Sequence, residues 1–496
     1  MTNGLRSAPV RGSRRVLRVA ARAATATALV VSATVVGFSV SSDDAGRTVA
    51  ALENATIGAG GEYHALTPMR ILDTRDSNLD VAPFGRKPFQ TASSDGLFNV
   101  PVVDRAGLGP FHDGNGDCAD DNVLAVAVTI TVVSPTSVGY LEAFGKGENR
   151  PATSVVNFKP GAVVANTAVL RPGCGGELSV RLAPAAAATG DVVIDIFGWF
   201  SSSSYPNAGA RLEPSGPGRI YDSREAAFGG HAFGPGEQRE LTIWGAKAFD
   251  TGAEVVVNSS NVVAVLLNVT GVNANAGSAN TFVSLLPAPV ASGDAPHTSN
   301  LNLAVGQIRS NMAIVPVSAD GKIWVYNANG NNHVVVDVMG YFLKNQDPST
   351  SRGRVIPLVA PFRAFDTREA AFADQPLPPA NAEDWSFTDF ANDVKVAGSQ
   401  VGSQLGLIGN LTAAALGRQY SWAPTGSYVT AYPTPGGGGA QSPPLISNLG
   451  INDGDTVANL VLLKYGSDGT DPYQVRFYNR AGYLDYLLDV TAVILA

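Results

Sequence analysis

The chain has 496 residues, a formal net charge of −8 and only 15% charged residues, together with 54 glycines and 31 prolines. An acidic chain lacks the basic surface that nucleic-acid binding requires, and long surface helices normally carry more charge. The composition instead favours an all-β protein with many short strands joined by tight turns.

The first 50 residues have the layout of a secretory signal peptide. A leader with six arginines precedes the uncharged, mostly apolar run Ala23–Val40. We expect cleavage between Ala45 and Ala51 and therefore a secreted protein that is extracellular or cell-wall-associated. An uncleaved anchor is the alternative, because the run just reaches the length of a spanning helix. Loss of this segment removes seven arginines and two aspartates, which changes the formal net charge from −8 to −13. No later segment is apolar enough to predict a transmembrane span.

A long internal repeat is the most informative feature of the sequence. The pattern R-[IA]-[LYF]-D-[ST]-R, here called the signature, occurs at Arg70–Arg75, Arg219–Arg224 and Arg363–Arg368. A central apolar strand, an alternating strand, a segment with a fixed asparagine and a closing strand with an internal aspartate follow each signature in the same order.

The repeats predict three tandem homologous β-sandwich domains of jelly-roll type, at residues 62–202, 211–344 and 355–496. Each contains roughly eight short strands at the spacing typical of such folds. The connecting segments are rich in Ser, Asn, Pro, Gly or charge, as linkers usually are. Linkers of about ten residues favour separate domains in a row. Docking around a pseudo-threefold axis is the alternative.

Four motifs together resemble a repeat that is abundant in secreted and cell-surface proteins of actinobacteria. They are the R-I-L-D-T-R opening, the apolar strand Leu266–Thr270, Ser299–Leu303 and the closing Val334–Phe342. That repeat often occurs in tandem, alone or beside hydrolase or adhesion-type modules, and the resemblance covers nearly all of residues 62–496. The family has no assigned catalytic residues, so the resemblance implies location and architecture rather than chemistry. The third copy ends differently, on Ala492–Ile494 instead of a Gly-Trp-Phe sequence, and we expect its last strand to pack differently, as a terminal cap.

The signature and the closing-strand aspartates predict structural ion pairs. A charge inside an apolar strand tolerates burial only when it is paired, and the planar arginine side chain can bind a carboxylate through two hydrogen bonds. We expect the signature aspartates to cap a turn while neighbouring arginines pair with the strand aspartates. The alternative is a paired-carboxylate site of a glycosidase. The predicted set is Arg70, Asp73, Arg75, Asp195, Arg219, Asp222, Arg224, Asp337, Arg363, Asp366, Arg368 and Asp489.

Two further predictions concern the first copy. Cys118 and Cys174 are the only cysteines of the chain and, since we expect it to be exported, predict one disulfide. The segment Asp113–Asp117 begins like a calcium loop, with Asp113, Asn115 and Asp117 as oxygen donors, but the chelating residue expected at its twelfth position is absent. Calcium is therefore the only cofactor that the sequence suggests, and an acidic loop without a metal is the alternative.

Asparagines and tryptophans supply the remaining candidates. One asparagine recurs in each copy (Asn166, Asn311 and Asn459), and we expect it to satisfy backbone groups in a turn or bulge rather than to bind a ligand. Trp244, Trp324 and Trp422 are candidate sugar-stacking platforms, with core packing as the alternative.

We predict a non-catalytic protein, since no catalytic motif is present and an enzyme rarely needs three equal active sites. The expected role is surface display, adhesion or binding of an envelope polysaccharide, with a cell-wall or extracellular polysaccharide or a surface protein as the partner. Tandem weak sites gain avidity when several bind together. The alternatives are an extracellular glycan hydrolase that uses carboxylates of one divergent copy, and a structural spacer or coat subunit without a ligand.

Overall fold

A computed structural model describes residues 13–16, 60–75, 89–90, 97–103, 105–108, 122–173, 175–183, 189–202, 205–369, 376–396, 399–414, 426–436, 442–452 and 454–496. The predicted disulfide and the predicted calcium loop lie outside these residues, as does Trp422. Both predictions therefore remain predictions.

Among the described residues, eight strands recur in the same order in every repeat. In the first repeat β1–β8 are Glu62–Asp73, Leu97–Pro101, Val123–Val133, Gly139–Gly145, Val156–Phe158, Val163–Leu170, Glu177–Ala183 and Thr189–Ser201. In the second β9–β16 are Arg211–Asp222, Gln238–Thr242, Val262–Val272, Thr281–Leu286, Leu301–Leu303, Ile308–Pro316, Lys322–Asn327 and His333–Leu343. In the third β17–β24 are Val355–Asp366, Asn381–Ser386, Gln404–Ala414, Ser427–Pro433, Leu449–Ile451, Thr456–Lys464, Gln474–Asn479 and Asp485–Leu495.

The strands form six small antiparallel sheets, two in each repeat. The first, eighth, third and sixth strands of a repeat are neighbours in one sheet, here called the inner sheet. The second, seventh, fourth and fifth are neighbours in the other, the outer sheet. The prediction of an all-β protein is confirmed.

Short elements complete the described structure. Ser13–Val16, inside the segment predicted to be a signal peptide, pairs in parallel with β18. Phe89–Gln90 pairs with β8, and Lys395–Val396 pairs with Ser399–Gln400. A 3-10 turn covers Ala226–Phe228 and a short α-helix covers Thr388–Asp393. Within the described ranges no helix is long and apolar enough to cross a membrane.

The inner strands are apolar along their whole length because both of their faces are buried. In β3, Val126 and Val128 pack in a core between the two sheets of the first repeat, whereas Ala125 and Ala127 point to a second core. Successive side chains of a strand point to opposite faces, so an uninterrupted apolar run marks a strand buried on both sides.

The second core lies where the three inner sheets meet, and all three repeats contribute to it. It includes Phe200 from the first repeat, Phe342 from the second and Ile494 from the third. Tyr63 stacks on Phe342 with ring centroids 4.2 Å apart. The linkers therefore do not hold the repeats apart, and the expectation of separate units in a row is wrong. A linker's composition shows that it is flexible but carries no information about the apolar faces on either side of it.

The closing strand of the third repeat does not form the terminal cap that its altered sequence predicted. Its β24 pairs with β17 and β19, as the closing strands of the other repeats pair with their own first and third strands. Ile494 lies opposite Val355 and is buried in the shared core. The altered residues thus change the packing surface but not the position of the strand, because strand pairing uses the backbone.

Candidate functional site

The signature forms the same compact turn in each repeat. Asp73 accepts hydrogen bonds from the backbone N–H of Arg75 (3.1 Å) and from its Nε (2.8 Å), while Arg75 Nη2 lies 2.7 Å from Asp73 Oδ2. The same three contacts recur between Asp222 and Arg224 and between Asp366 and Arg368. The second signature arginine is therefore held by its own turn.

The first signature arginine connects this turn to the closing strand. Arg70 donates from Nε to Asp195 (2.9 Å) and from Nη1 to Asp73 (3.0 Å). In the second repeat Arg219 lies 2.8 Å from Asp337 and 3.2 Å from Asp222. Arg363 likewise contacts Asp489 and Asp366 in the third repeat. Each predicted arginine–aspartate set is thus brought together around one bridging guanidinium.

The two aspartates of a set have opposite pKa shifts. Burial raises the pKa of Asp73, but hydrogen bonds from Arg75 outweigh it and the pKa lies below its usual value. Burial also raises the pKa of Asp195, and here Arg70 does not fully compensate, so the pKa stays above its usual value. The shifts at Asp222 and Asp337, and at Asp366 and Asp489, have the same directions.

Each signature cluster also touches the following repeat in a closed cycle. Arg70 Nη2 donates to the carbonyl of His297 in the second repeat (3.0 Å). Asp337 accepts from the backbone N–H of Ser447 in the third repeat (3.2 Å). Arg363 Nη2 donates to the carbonyl of Ala152 in the first repeat (3.2 Å), which closes the ring.

The recurring asparagines form a second ring around the same centre. Asn311 Oδ1 accepts from Thr167 N (3.2 Å), and the equivalent bonds are Asn459 to Met312 N (2.9 Å) and Asn166 to Leu460 N (3.0 Å). Each asparagine also donates to a carbonyl eleven residues earlier in its own chain segment. These asparagines lie inside strands, so the prediction of a turn or bulge position is wrong. A single sequence shows that an asparagine recurs but not which repeat it contacts.

An open groove lies between the first and third repeats. Its volume is about 530 Å³. In the wall that the first repeat supplies, Ser154 lies 14 positions after Tyr140, whereas the equivalent residues of the other repeats are 17 and 19 positions apart. A shorter loop covers less of the neighbouring repeat, and the groove lies beside it.

The wall from the first repeat carries a carboxylate that the other repeats lack. Glu142 accepts two bonds from Arg150, both 2.8 Å long, and lies 3.1 Å from Arg181. The equivalent residues, Ser284 and Thr430, instead donate a hydroxyl to the backbone of their own loops. The substitution therefore replaces a loop tether with a charged network beside the groove. An alignment of the three repeats would have indicated Glu142, but it was not among the predicted site residues.

The wall from the third repeat contains a buried hydroxyl that lacks a partner. Thr412 is 3% exposed, and its Oγ1 has no hydrogen-bond partner among the described residues. The equivalent Thr270 lies 2.7 Å from Ser310 Oγ. Arg363 and Arg368 line the same wall. An unsatisfied buried hydroxyl costs roughly 1–3 kcal/mol, which a ligand or a water molecule would recover.

The other candidates lie elsewhere. Trp244 packs against the core of the second repeat and donates to the carbonyl of Val262 (3.1 Å), whereas Trp324 is partly exposed on β15. Neither lines the groove. No group of three or more His, Cys, Asp or Glu residues is placed to hold a metal ion in the parts of the chain that the structure covers.

Sequence comparisons give no match to a family model or to a curated protein. Solved structures with low-scoring similarity to this chain include the following three. The CBM22-1-CBM22-2 tandem domain of Paenibacillus barcinonensis Xyn10C has 11% identity and a TM-score of 0.15, and the match covers 55% of this chain and 98% of that one. A triple jelly-roll protein of an archaeal virus has 9% identity and a TM-score of 0.15, with 87% and 90% covered. A Broad Bean Stain Virus chain has 11% identity and a TM-score of 0.14, with 57% and 89% covered.

Proposed function

We propose that the protein is a secreted or cell-wall-associated polysaccharide-binding protein built from three jelly-roll domains, and that the groove between the first and third repeats holds a sugar. The unpartnered hydroxyl of Thr412 is the observation that carries this proposal. A buried polar atom in an open groove is satisfied when a ligand hydroxyl replaces water there.

The composition of the groove favours a neutral sugar over a charged one. Arg150, Arg363 and Arg368 each lie within ion-pair distance of a carboxylate. Paired groups contribute little net charge, yet their remaining nitrogen and oxygen atoms still offer hydrogen-bond donors and acceptors. Tyr140 adds an aromatic ring to the lining, which suits the apolar face of a sugar.

The same pairs argue for binding rather than catalysis. A glycosidase needs one carboxyl group that delivers a proton and a second that acts as base or nucleophile. Glu142 is 2% exposed and contacts two arginines, which hold it in place and away from solvent. Such a carboxylate is poorly placed to approach a glycosidic oxygen.

A glycan hydrolase is the second candidate, favoured by one observation. A charged residue that the other two repeats lack lies beside the groove, as an active site on one divergent repeat would require. Glu142 has only hydroxyl residues as counterparts, Ser284 and Thr430.

The test is retention of the purified chain on insoluble polysaccharides and isolated cell walls, with and without calcium, followed by assay of released sugars. We expect saturable retention without sugar release. Thr412→Val should weaken retention about five- to tenfold, since one hydrogen bond of roughly 1 kcal/mol or more is lost. The melting temperature of that variant should stay equal or rise, because the lost hydroxyl has no protein partner.

Thr131→Val is the matched control, because Thr131 occupies the equivalent strand position in the first repeat but does not itself line the groove. Equal weakening by both variants, or no retention on any material, would refute binding in this groove. Release of soluble sugars that is lost in Glu142→Gln would establish the hydrolase instead.

A further inference from the structure

A second cavity lies where the first strands of the three repeats begin. Its volume is about 240 Å³, and its lining includes residues from both linkers. Glu62 is the first residue of β1, Arg211 is the first residue of β9, and Arg354 immediately precedes β17. The cavity therefore exists only because the three repeats are joined in one compact molecule.

Positive charge exceeds negative charge around this cavity. Arg211, Arg354 and Lys344 line it, and Glu62 is the only lining carboxylate. Both arginines contact Glu62, at 3.0 Å each. Burial raises the pKa of Glu62, but bonds from Arg211, Gly209 and Arg354 lower it below its usual value, so Glu62 remains ionised. The lining residues thus carry a formal net charge of +2.

Lys344 supplies much of this excess. No carboxylate lies within ion-pair distance of its ammonium group among the residues that the structure describes. Asp347 lies near Arg211, but it does not line the cavity, and its carboxylate accepts hydrogen bonds from Ser349. In a chain with a formal net charge of −8, such a concentration of positive charge is local.

A ring nitrogen without a hydrogen-bond partner lies directly behind two residues of the lining. The ring of His64 stacks on Trp199 with centroids 4.4 Å apart and meets Tyr205 edge-on at 5.3 Å. Its Nε2 is buried and has no partner in the described part of the chain. This atom lies against Gly209, where an added Cβ would be 2.8 Å from it. Gly209 and Tyr205 both line the cavity.

We propose that this cavity binds a phosphate group, either as the free anion or as an ester on a glycan. Arg211, Lys344 and Arg354 reach the cavity from three chain segments, so they approach a bound group from different directions. This arrangement suits a tetrahedral group with several acceptor oxygens, whereas a single arginine can bind a planar carboxylate alone. The cavity is smaller than most ligand sites, which suits one small group. Binding here is independent of the groove that holds the sugar.

The test is calorimetric titration of the full chain with inorganic phosphate at low ionic strength, in a buffer without other oxyanions. We expect saturable binding that weakens as salt is added. Lys344→Gln should weaken it about fivefold or more at low ionic strength, as expected for loss of a positive charge beside the anion. Lys247→Gln is the matched control, because Lys247 is exposed, has no carboxylate within ion-pair distance among the described residues and lies away from the cavity.

A second titration with glycerol phosphate distinguishes the two sources of the group. Binding of the ester at least as tight as that of the free anion would assign a phosphorylated glycan, whereas binding of inorganic phosphate alone would assign the free anion. Absence of saturable binding to either probe would overturn the proposal. So would equal weakening by the Lys344 and Lys247 variants.

Discussion

Single residues in the signature clusters differ mainly in how far solvent reaches the bridging arginine. The side chain of Arg219 is 9% exposed and that of Asp337 is fully buried. The side chain of Arg70 is 26% exposed, although its partner Asp195 is almost as buried as Asp337. Water can therefore partly solvate Arg70 if its partner is lost, but it can do little for Arg219.

This difference predicts unequal costs for removing the strand aspartate. Asp337→Ala should destabilise the protein by about 3–5 kcal/mol, because it leaves a buried guanidinium without one of its carboxylates. Asp195→Ala should cost less. Differential scanning calorimetry of the purified chain measures both, with Asp294→Ala as a surface control. An unchanged melting temperature for Asp337→Ala would show that the ion pair contributes no stability.

One residue of the second repeat adds a pH dependence. His333 Nδ1 lies 2.9 Å from Ser223 Oγ, where the other repeats pair a threonine with Asp191 or Asp485. Burial lowers the pKa of His333 below its usual value of 6.5, and Arg224 lowers it further, against an opposing effect of Asp222. The unfolded chain therefore binds this proton at a higher pH than the folded chain. The contribution of neutral His333 to the free energy of unfolding is therefore fully present above about pH 6.5. It is lost as the pH falls from there towards the pKa of His333 in the folded chain.

His333→Gln should accordingly flatten the acid side of the stability profile. Between about pH 7.5 and pH 5, the melting temperature of the wild type should fall further than that of the variant, since only the wild type must bury a newly charged imidazole. Burial also lowers the pKa of His64, but both proteins contain that residue and its effect cancels in the difference. Parallel profiles would contradict the assignment.

Among the strands, the sixth of each repeat has a special position, because it is the edge of its inner sheet. β6, β14 and β22 meet around the centre of the molecule and contact one another. An unpaired sheet edge is normally a site of aggregation, and natural proteins cover it. Here the three edges cover one another, and the asparagine side chains bind the backbone groups that pairing leaves free.

Asn311→Ala should therefore destabilise the protein through β6 as well as β14. The change leaves Thr167 N without its acceptor and Asn300 O without a donor. Each buried group left in this way costs about 1–3 kcal/mol. Asn302→Ala is the control, because its amide contacts only Ser299 of the same repeat. Thermal unfolding that ranks the two variants equally would show that the ring is not a stabilising contact.

The strands themselves were predictable, whereas their partners across repeats were not. Uninterrupted apolar runs such as Val123–Val133 predicted strands, and the alternation within them fixes which face a residue occupies. The signature with its strand aspartate indicated an ion pair because burial of a charge demands one. Thr412 gave no signal, since a threonine in a strand is unremarkable until its neighbours are known. The groove depends on the loop between Tyr140 and Ser154 being shorter than the equivalent loops of the other two repeats. The sequence shows this difference in length, but its consequence is visible only when the repeats are known to be in contact.

At the scale of the whole molecule, the central core makes the three repeats interdependent. Each contributes apolar side chains that its own two sheets do not cover, as Leu266, Met312 and Phe342 do from the second repeat. Every repeat is bonded to the next through its signature cluster. Through its recurring asparagine it is bonded to the preceding repeat of the same cycle. The molecule thus resembles a trimer whose subunits are joined into one chain, and symmetric association of this kind closes without leaving a free face.

Excision of the second repeat tests this interdependence. Residues 211–344 expressed alone should not form a stable monomer, because Leu266, Met312, Ile314 and Phe342 would be exposed on one face. We expect either aggregation or association into trimers that restores the central core, measurable by light scattering coupled to size exclusion. Leu266→Gln in the excised repeat should abolish any trimer. A soluble, cooperatively folded monomer that melts near the temperature of the full chain would show that each repeat is self-sufficient, and the central core would then only hold finished units together.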